Sequence, residues 1–439
     1  MGPLLLGNFG AAMLLRVPVG FALAAASLVA LVVVGNVPLT VSAQRIVAGI
    51  TPFPLLAIPL FVLAGGIMGA GGMTARLLAL ADSLVGRLRG GLAQTNVLSS
   101  LMFGGLSGSA VADVSSLGRV LIPAMRQRDY RAAFAAATTA ASSVVAPILP
   151  PSITLIVYGV VSGTSIGQLF FAGIVPGLLY VLALMLTIHL VVRRRGFTPE
   201  AVARAGDPKE IGRTPKDEVP KVLPSLVRAV PALLLPVLIL GGIRLGVFTP
   251  TEAAAMAVVY AVFVGLVVYR ELTWERLRDT MTSSALMVGL IMLVLAAAQL
   301  YSWALTLGRV PQEAASAIFA LTENPVVLLL LMNVLLLVIG MFIEANAALI
   351  IITPILLPLA TSIGVDPVQL GIIIVINLGI GLVSPPVGIC LLLAAEIGQT
   401  STLAAVKAVL PMVAAGVGVL LLITYVPAVS LWLPSLIGA

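Results

Sequence analysis

The sequence predicts an all-α polytopic membrane fold, made of inverted repeats that carry two re-entrant helical hairpins and two discontinuous helices. Three observations predict it. The 439 residues are 60% hydrophobic and 9% charged, with a mean hydropathy of +1.18, well above the roughly half-apolar composition of soluble domains. Shifting the chain by 235 residues lays Gly105 on Gly340, Pro123 on Pro358, Pro150-Pro151 on Pro385-Pro386, Gly163 on Gly398 and Pro176 on Pro411, all in one ungapped register. The paired prolines also interrupt two long apolar runs at matching places, which is where a helix must open.

In chain order, residues 3–35 form an apolar stretch too long for a signal peptide and lacking a small-residue cleavage site, so it reads as a retained, kinked helix. Further apolar runs at 53–72, 132–162, 166–192, 229–248, 253–269, 280–306, 368–397 and 408–433 approach or exceed the roughly 20 residues that span hydrocarbon. About ten helical crossings are expected. The segment Arg193 to Arg228 carries nine of the 24 basic residues and five prolines, and it reads as a solvated cytoplasmic linker.

Charge sets the direction of the hairpins. Arg76, Arg87 and Arg89 precede "FGGLSGSAVAD" (103–113), and Arg119, Arg126, Arg128 and Arg131 follow it, so both flanks read as cytoplasmic. With about 28 residues between Arg89 and Arg119, the stretch is too short for two full crossings and is expected to enter and return. Its counterpart runs from Pro325 to Ile363, with "GMFIEANA" (340–347) at the tip and few Lys or Arg on its flanks, so it should enter from outside. Five crossings separate the hairpins, an odd number, which inverts one repeat relative to the other.

Composition removes several functions. One cysteine (Cys390) excludes an internal disulfide, and with one histidine (His189) leaves too few ligands for an ordinary zinc site. No Gly-Lys pair occurs, so no Walker A loop is present. The net charge of +7 sits at segment ends, where it orients helices, rather than on a soluble nucleic-acid-binding domain.

The chemistry is expected where proline frees backbone. The breaks "SSVVAPILPPSI" (142–153) and "NLGIGLVSPPVG" (377–388) leave carbonyls at Ala146, Leu149, Gly381 and Ser384 that can face the hairpin tips, where Ser107, Ser109, Gly340 and Glu344 add oxygens. Oxygens at negative helix ends suit a small hard cation, and helix starts suit an anionic substrate. Glu344, far from any basic residue in sequence, is favoured as functional. Asp113 reads as a cap of the hairpin's second helix or as an indirect ion ligand. Glu252 in "TPTE" reads as a capping box, His189 as interfacial and Cys390 as a packing residue.

Two functions are set against each other: a secondary transporter, and an intramembrane serine protease suggested by "GLSG" (105–108), which resembles the rhomboid motif. A protease needs its base within reach of the serine, yet His189 is placed at the cytoplasmic surface and Ser107 at mid-depth. Rhomboid chemistry also gives no reason for a second hairpin.

The stretches "IPLFVLAGGIMGAGG" (58–72), "FGGLSGSAVADVSSLG" (103–118), "GVFTPTEAAAMAVVYAVFVGL" (246–266), "FIEANAALIIITPILLP" (342–358) and "GIGLVSPPVG" (379–388) resemble the large membrane subunit of tripartite ATP-independent periplasmic (TRAP) transporters. The resemblance implies a multi-pass protein of the bacterial inner membrane that is not an enzyme: an elevator-type carrier with Na+ as coupling ion and no organic cofactor. It also implies two partners, a separate small membrane subunit and a periplasmic binding protein that delivers an organic acid such as a C4-dicarboxylate or sialic acid. Matched by motif, Ser107, Ser109, Ala146, Leu149 and Pro151 belong to one sodium site, and Gly340, Glu344, Gly381, Ser384 and Val387 to the other. Ser107, Ser152, Glu344 and Asn346 are the expected substrate contacts. The implied organisation is scaffold helices over 1–72, a first repeat over 73–195, a linker over 196–228, further scaffold over 229–308 and a second repeat over 309–439.

Overall fold

The computed structural model describes residues 1–15, 17–34, 38–195, 197, 219–313, 316, 322 and 324–437. Most of the expected linker (196 and 198–218) therefore lies outside the described residues, as does Arg16. Among the described residues no strand forms, and eight helical stretches are long and apolar enough to cross a membrane, with four shorter apolar helices besides.

The helices outside the hairpins and broken helices come first. Helices α1 (Gly2–Leu14) and α2 (Val19–Val34) are separate and pack side by side, correcting the expectation of one kinked helix. Pro18 lacks the N–H that would continue the ladder, and the chain turns back there. After α3 (Leu39–Ala48), α4 (Ala57–Ala70) packs against α12 (Pro250–Phe263) and α13 (Trp274–Leu307). Helix α5 (Met73–Val85) packs on α11 (Val222–Arg244), of which only 22% of the apolar window is buried, as expected of a lipid-facing span. The capping box at Thr249 is present: Thr249 Oγ1 accepts from the Glu252 amide at 3.3 Å, and Glu252 Oε2 accepts from the Thr249 amide at 2.8 Å.

The repeats are visible element by element. Helices α6 (Gly91–Ser107) and α7 (Ala110–Gln127) form the first hairpin; α14 (Pro325–Phe342) and α15 (Ala345–Ser362) form the second, and α15 lies at an offset of 235 from α7 at both ends. Each hairpin is followed by a broken helix, α8 (Ala132–Ser143) with α9 (Ile153–Ser162), and α16 (Pro367–Gly381) with α17 (Ile389–Ile397). Long helices α10 (Ile166–Arg195) and α18 (Thr402–Tyr425) complete the repeats, and α19 (Ala428–Ile437) ends the described chain. The hairpin arms are longer than the arginine spacing implied. Seventeen and eighteen residues give about 26 Å each at 1.5 Å per residue, because α7 continues past Arg119 to Gln127. The shortness argument for re-entry therefore falls, and the charge argument alone remains.

The first halves of the broken helices are the centre of the molecule. Every residue of α8 from Phe134 to Ser143 is buried, as is every residue of α16 from Val368 to Gly381. The repeats also exchange partners: α7 and α8 pack on α17, while α15 packs on α9. Each hairpin is thus held between its own broken helix and the far half of the other repeat's.

Candidate functional site

The hairpin tips meet the breaks by direct backbone contact. At the first tip, a Cβ on Gly105 would stand 2.9 Å from the Pro150 carbonyl oxygen, too close for any side chain. At the second, a Cβ on Gly381 would stand 2.5 Å from the Gly340 carbonyl carbon and 2.6 Å from its Cα. Glycine at these positions is what brings tip and break together. The two breaks also adjoin each other, since a Cβ on Gly379 would meet Val144 Cγ1 at 2.8 Å.

Helix ends converge accordingly. In the first repeat α6 and α8 present C-terminal carbonyls and α7 and α9 present N-terminal amides; in the second α14 and α16 face α15 and α17 in the same way. Partial negative and positive charge are thereby placed side by side without a single formal cation at either tip. In the first break, the Ala146, Leu149 and Pro151 carbonyls accept no hydrogen bond among the described residues. In the second, the Gly381 carbonyl accepts from the Ser384 amide at 3.0 Å, correcting the expectation that it is freed; one lone pair remains. Ser384 Oγ donates to the Ile380 carbonyl at 2.8 Å, and its own carbonyl is unbonded among the described residues. Val387 lies between the Pro385-Pro386 pair and the start of α17.

The caps at the tips use several expected ligands. Ser109 caps α7 by accepting from the Ala112 amide at 3.5 Å. Asp113 is therefore not the cap. It lies inside α7, fully buried, at the end of a polar chain: Ser100 donates to Asp113 Oδ2 at 2.8 Å and lies 3.0 Å from Ser142 Oγ, Ser142 donates to Asn96 Oδ1 at 3.1 Å, and Asn96 donates to Thr139 Oγ1 at 2.7 Å. Ser152 caps α9, accepting from the Leu155 amide at 3.2 Å and donating to the Pro147 carbonyl at 2.6 Å, so its proton holds the break in shape. Glu344 caps α15 through the Ala347 amide at 3.1 Å and accepts from Asn346 Nδ2 at 2.9 Å. Asn346 Oδ1 is enclosed with no partner among the described residues, which leaves an unsatisfied acceptor at the second tip. Gly340, Ala146 and Leu149 are buried against their partners. Ser107 ends α6, and its side chain lies outside the described residues.

A cavity of about 270 Å³ opens between hairpin 1 and helices α4 and α13, lined by Phe103 and Ser116 of the hairpin, Gly65 and Gly66 of α4, and Ser283 and Ser284 of α13.

A family model described as "Tripartite ATP-independent periplasmic transporter, DctM component" matches residues 6–429. This chain belongs to the DctM family. It is 40% identical to the sialic acid TRAP transporter large permease protein SiaM of Vibrio cholerae, over 95% of this chain and 95% of that protein. It is 39% identical to the C4-dicarboxylate TRAP transporter large permease protein DctM of Pseudomonas aeruginosa, over 88% and 87%. With the isethionate TRAP transporter permease protein DctMQ of Oleidesulfovibrio alaskensis it shares 40% identity over 98% of this chain but 66% of that protein. Among solved structures, the YdaH transporter of Alcanivorax borkumensis has the same fold, with a TM-score of 0.58 over 91% of this chain and 89% of that one at 16% identity.

DctM-family membership makes this chain a multi-pass inner-membrane transport protein and not an enzyme. Nothing favours the protease: His189 is exposed towards the end of α10, far along that helix from the tips. Sequence reading located both tips and both breaks but missed the polar chains that anchor them. The second repeat has its own, in which Asn377 donates to Asn333 Oδ1 at 2.7 Å and Asn333 donates to Thr424 Oγ1 at 3.0 Å. Their signal was present as amide side chains isolated in apolar helices, Asn96 four residues before Ser100, and Asn333 in a run of leucines.

Proposed function

We propose that this chain is the sodium-coupled translocation subunit of an organic-acid importer, working with a small membrane subunit and a periplasmic binding protein that delivers the substrate. The observation that carries this reading is the double convergence of helix ends at the tips and breaks, where carbonyl oxygens and amides lie together in buried surroundings. Unbonded carbonyls of Ala146, Leu149 and Pro151, with Ser107 and Ser109, form one sodium site; Gly340, Gly381, Ser384, Val387 and the Glu344 cap form the other. An anionic substrate group is received by the N-termini of α7, α9 and α15, with Ser107, Ser152 and Asn346 as polar contacts.

Both hairpins are re-entrant in this reading, the first from the cytoplasm and the second from the periplasm. The hairpins and broken helices travel as a unit against the scaffold helices, and the cavity between hairpin 1 and α4 and α13 is the substrate's route on the cytoplasmic side. Relatives named for sialic acid, a C4-dicarboxylate and isethionate stand at 39–40% identity alike, so likeness does not select among them.

The test is uptake by proteoliposomes that contain this chain, its small subunit and its binding protein, against a panel of radiolabelled carboxylates and sulfonates. Uptake is expected only with an inward sodium gradient and the loaded binding protein. Equal uptake with potassium in place of sodium would contradict the coupling, and uptake of free substrate without the binding protein would contradict the tripartite arrangement.

A further inference from the structure

The cavity between hairpin 1 and helices α4 and α13 holds three serines, and they differ in what their hydroxyls do. Ser116 Oγ donates to the Ala112 carbonyl at 2.9 Å, and Ser283 Oγ donates to the Thr280 carbonyl at 3.0 Å, so both protons are spent within their own helices. Ser284 is only 8% exposed, lines the cavity, and bonds to nothing among the described residues. The carbonyl one turn back, the usual partner of a helical serine, is that of Thr280, which accepts from Ser283 instead. Across the cavity the bare backbone of Gly66 leaves this hydroxyl its space, since a Cβ there would stand 3.3 Å from Ser284 Oγ and 2.7 Å from Thr280 Cγ2. A buried donor without an acceptor therefore faces an open volume of about 270 Å³.

A cation stands at the mouth of the same volume. Ala112 and Ser116 line the cavity from α7, and Arg119 continues their stripe at the i, i+4, i+7 spacing, about 4.5 Å beyond Ser116 at 1.5 Å per residue. It lies towards the arginine-rich end of α7 that marks the cytoplasmic side. Because Cα–Cβ bonds tilt towards a helix's N-terminus, the stem of Arg119 leans back over Ser116 and the cavity. Arg119 is exposed and makes no hydrogen bond or ion pair among the described residues. Asp113, on the same helix, faces α6, where Ser100 donates to it.

We propose that this cavity is an anion subsite on the cytoplasmic side of the hairpin tips, in which Ser284 and Arg119 receive the carboxylate or sulfonate group of the substrate on its way out. The substrate's identity as an organic anion rests on the transport reading above. The tips offer helix-end amides but no formal cation, so Arg119 is the charge that draws the anion off them towards the cytoplasm. Its planar guanidinium presents paired N–H donors to a carboxylate, and the Ser284 hydroxyl supplies a further donor from the opposite wall. A packing role for the small residues explains Gly66 but not a buried hydroxyl left without a partner.

Charge-selective thiol labelling of the purified full-length chain tests this without any need for transport. In a Cys390→Ala background, Ser284→Cys places a thiol in the cavity, and its modification rate is measured with two methanethiosulfonate reagents of similar size, one ending in a sulfonate and the other in a trimethylammonium group. The ratio of the anionic to the cationic rate is expected to fall about tenfold when Arg119→Gln is added and to be kept by Arg119→Lys, with molar salt shrinking the difference. An unchanged ratio in Arg119→Gln overturns the subsite, and so does a thiol that reacts with neither reagent, which would mean that the cavity admits no ion from water. Sodium-driven uptake is measured separately. Its absence in the wild type would contradict the transport reading and leave the labelling result standing, whereas normal uptake with an unchanged ratio would remove the subsite alone.

Discussion

Replacing Gly381 by Val is expected to cut substrate uptake by about a hundredfold or more while the protein still inserts and folds. The new Cβ would stand 2.5 to 2.9 Å from the carbonyl carbon, Cα and oxygen of Gly340, all backbone atoms that no rotamer change can clear. Hairpin 2 must therefore lift off the α16 break, which separates the oxygens of the proposed second ion site. Overpacking of this kind costs about 1–3 kcal/mol, a fraction of the 5–15 kcal/mol that holds a typical protein folded. Geometry-dependent function fails well before that, since a displacement near 1 Å at a positioned site costs about two orders of magnitude. Uptake in proteoliposomes beside thermal unfolding in detergent separates the two effects, and a Gly381→Val protein that transports at wild-type rates would show that tip and break need not touch.

Asp113→Ala is expected to lower uptake at least about tenfold and to reduce stability by about 1–3 kcal/mol. Asp113 is fully buried and fastens α7 to Ser100 of α6, which continues through Ser142 and Asn96 into α8. Removing the carboxylate takes from the Ser100 hydroxyl its Asp113 acceptor in a fully buried site. Helix α7 then loses its polar tie to α6 and, through α6, to the broken helix, while the bonds between α6 and α8 remain. Asp113→Asn retains an acceptor for Ser100 and should keep more than half of the uptake. Uptake and melting temperature of Asp113→Ala indistinguishable from wild type would show that the chain of hydroxyls and amides is not what anchors the hairpin.

Much of the fold was legible because a bilayer narrows the choices: apolar runs must be helices, and irregular backbone must be enclosed by protein. Gly105, Gly340 and the proline pairs mark contact points and breaks by backbone chemistry alone, and backbone chemistry can be read from one sequence. Side-chain commitments cannot. The hydroxyl of Ser152 turns inward to Pro147, and Glu344 serves first as a helix cap, because each stands at a helix start whose amides need an acceptor. The cap reading of Asp113 fails for the complementary reason. Ser109 already occupied the cap, and the partner of Asp113 is Ser100, on the other arm of the hairpin, a pairing that no local pattern encodes. The N-terminal stretch failed differently, since a proline at a turn and a proline at a kink look alike until a packing partner is known.

The opposed entry of the two hairpins is the central claim, and the single native cysteine makes it measurable. In a Cys390→Ala background, cysteines placed singly at Arg89 and Asp129 flank hairpin 1, and cysteines at Thr322 and Gly364 flank hairpin 2. With a membrane-impermeant maleimide applied to intact spheroplasts, labelling is expected at 322 and 364 alone, with 89 and 129 reacting only after the membrane is permeabilised. Labelling of all four positions from one side, or of the two flanks of either hairpin from opposite sides, would contradict the account.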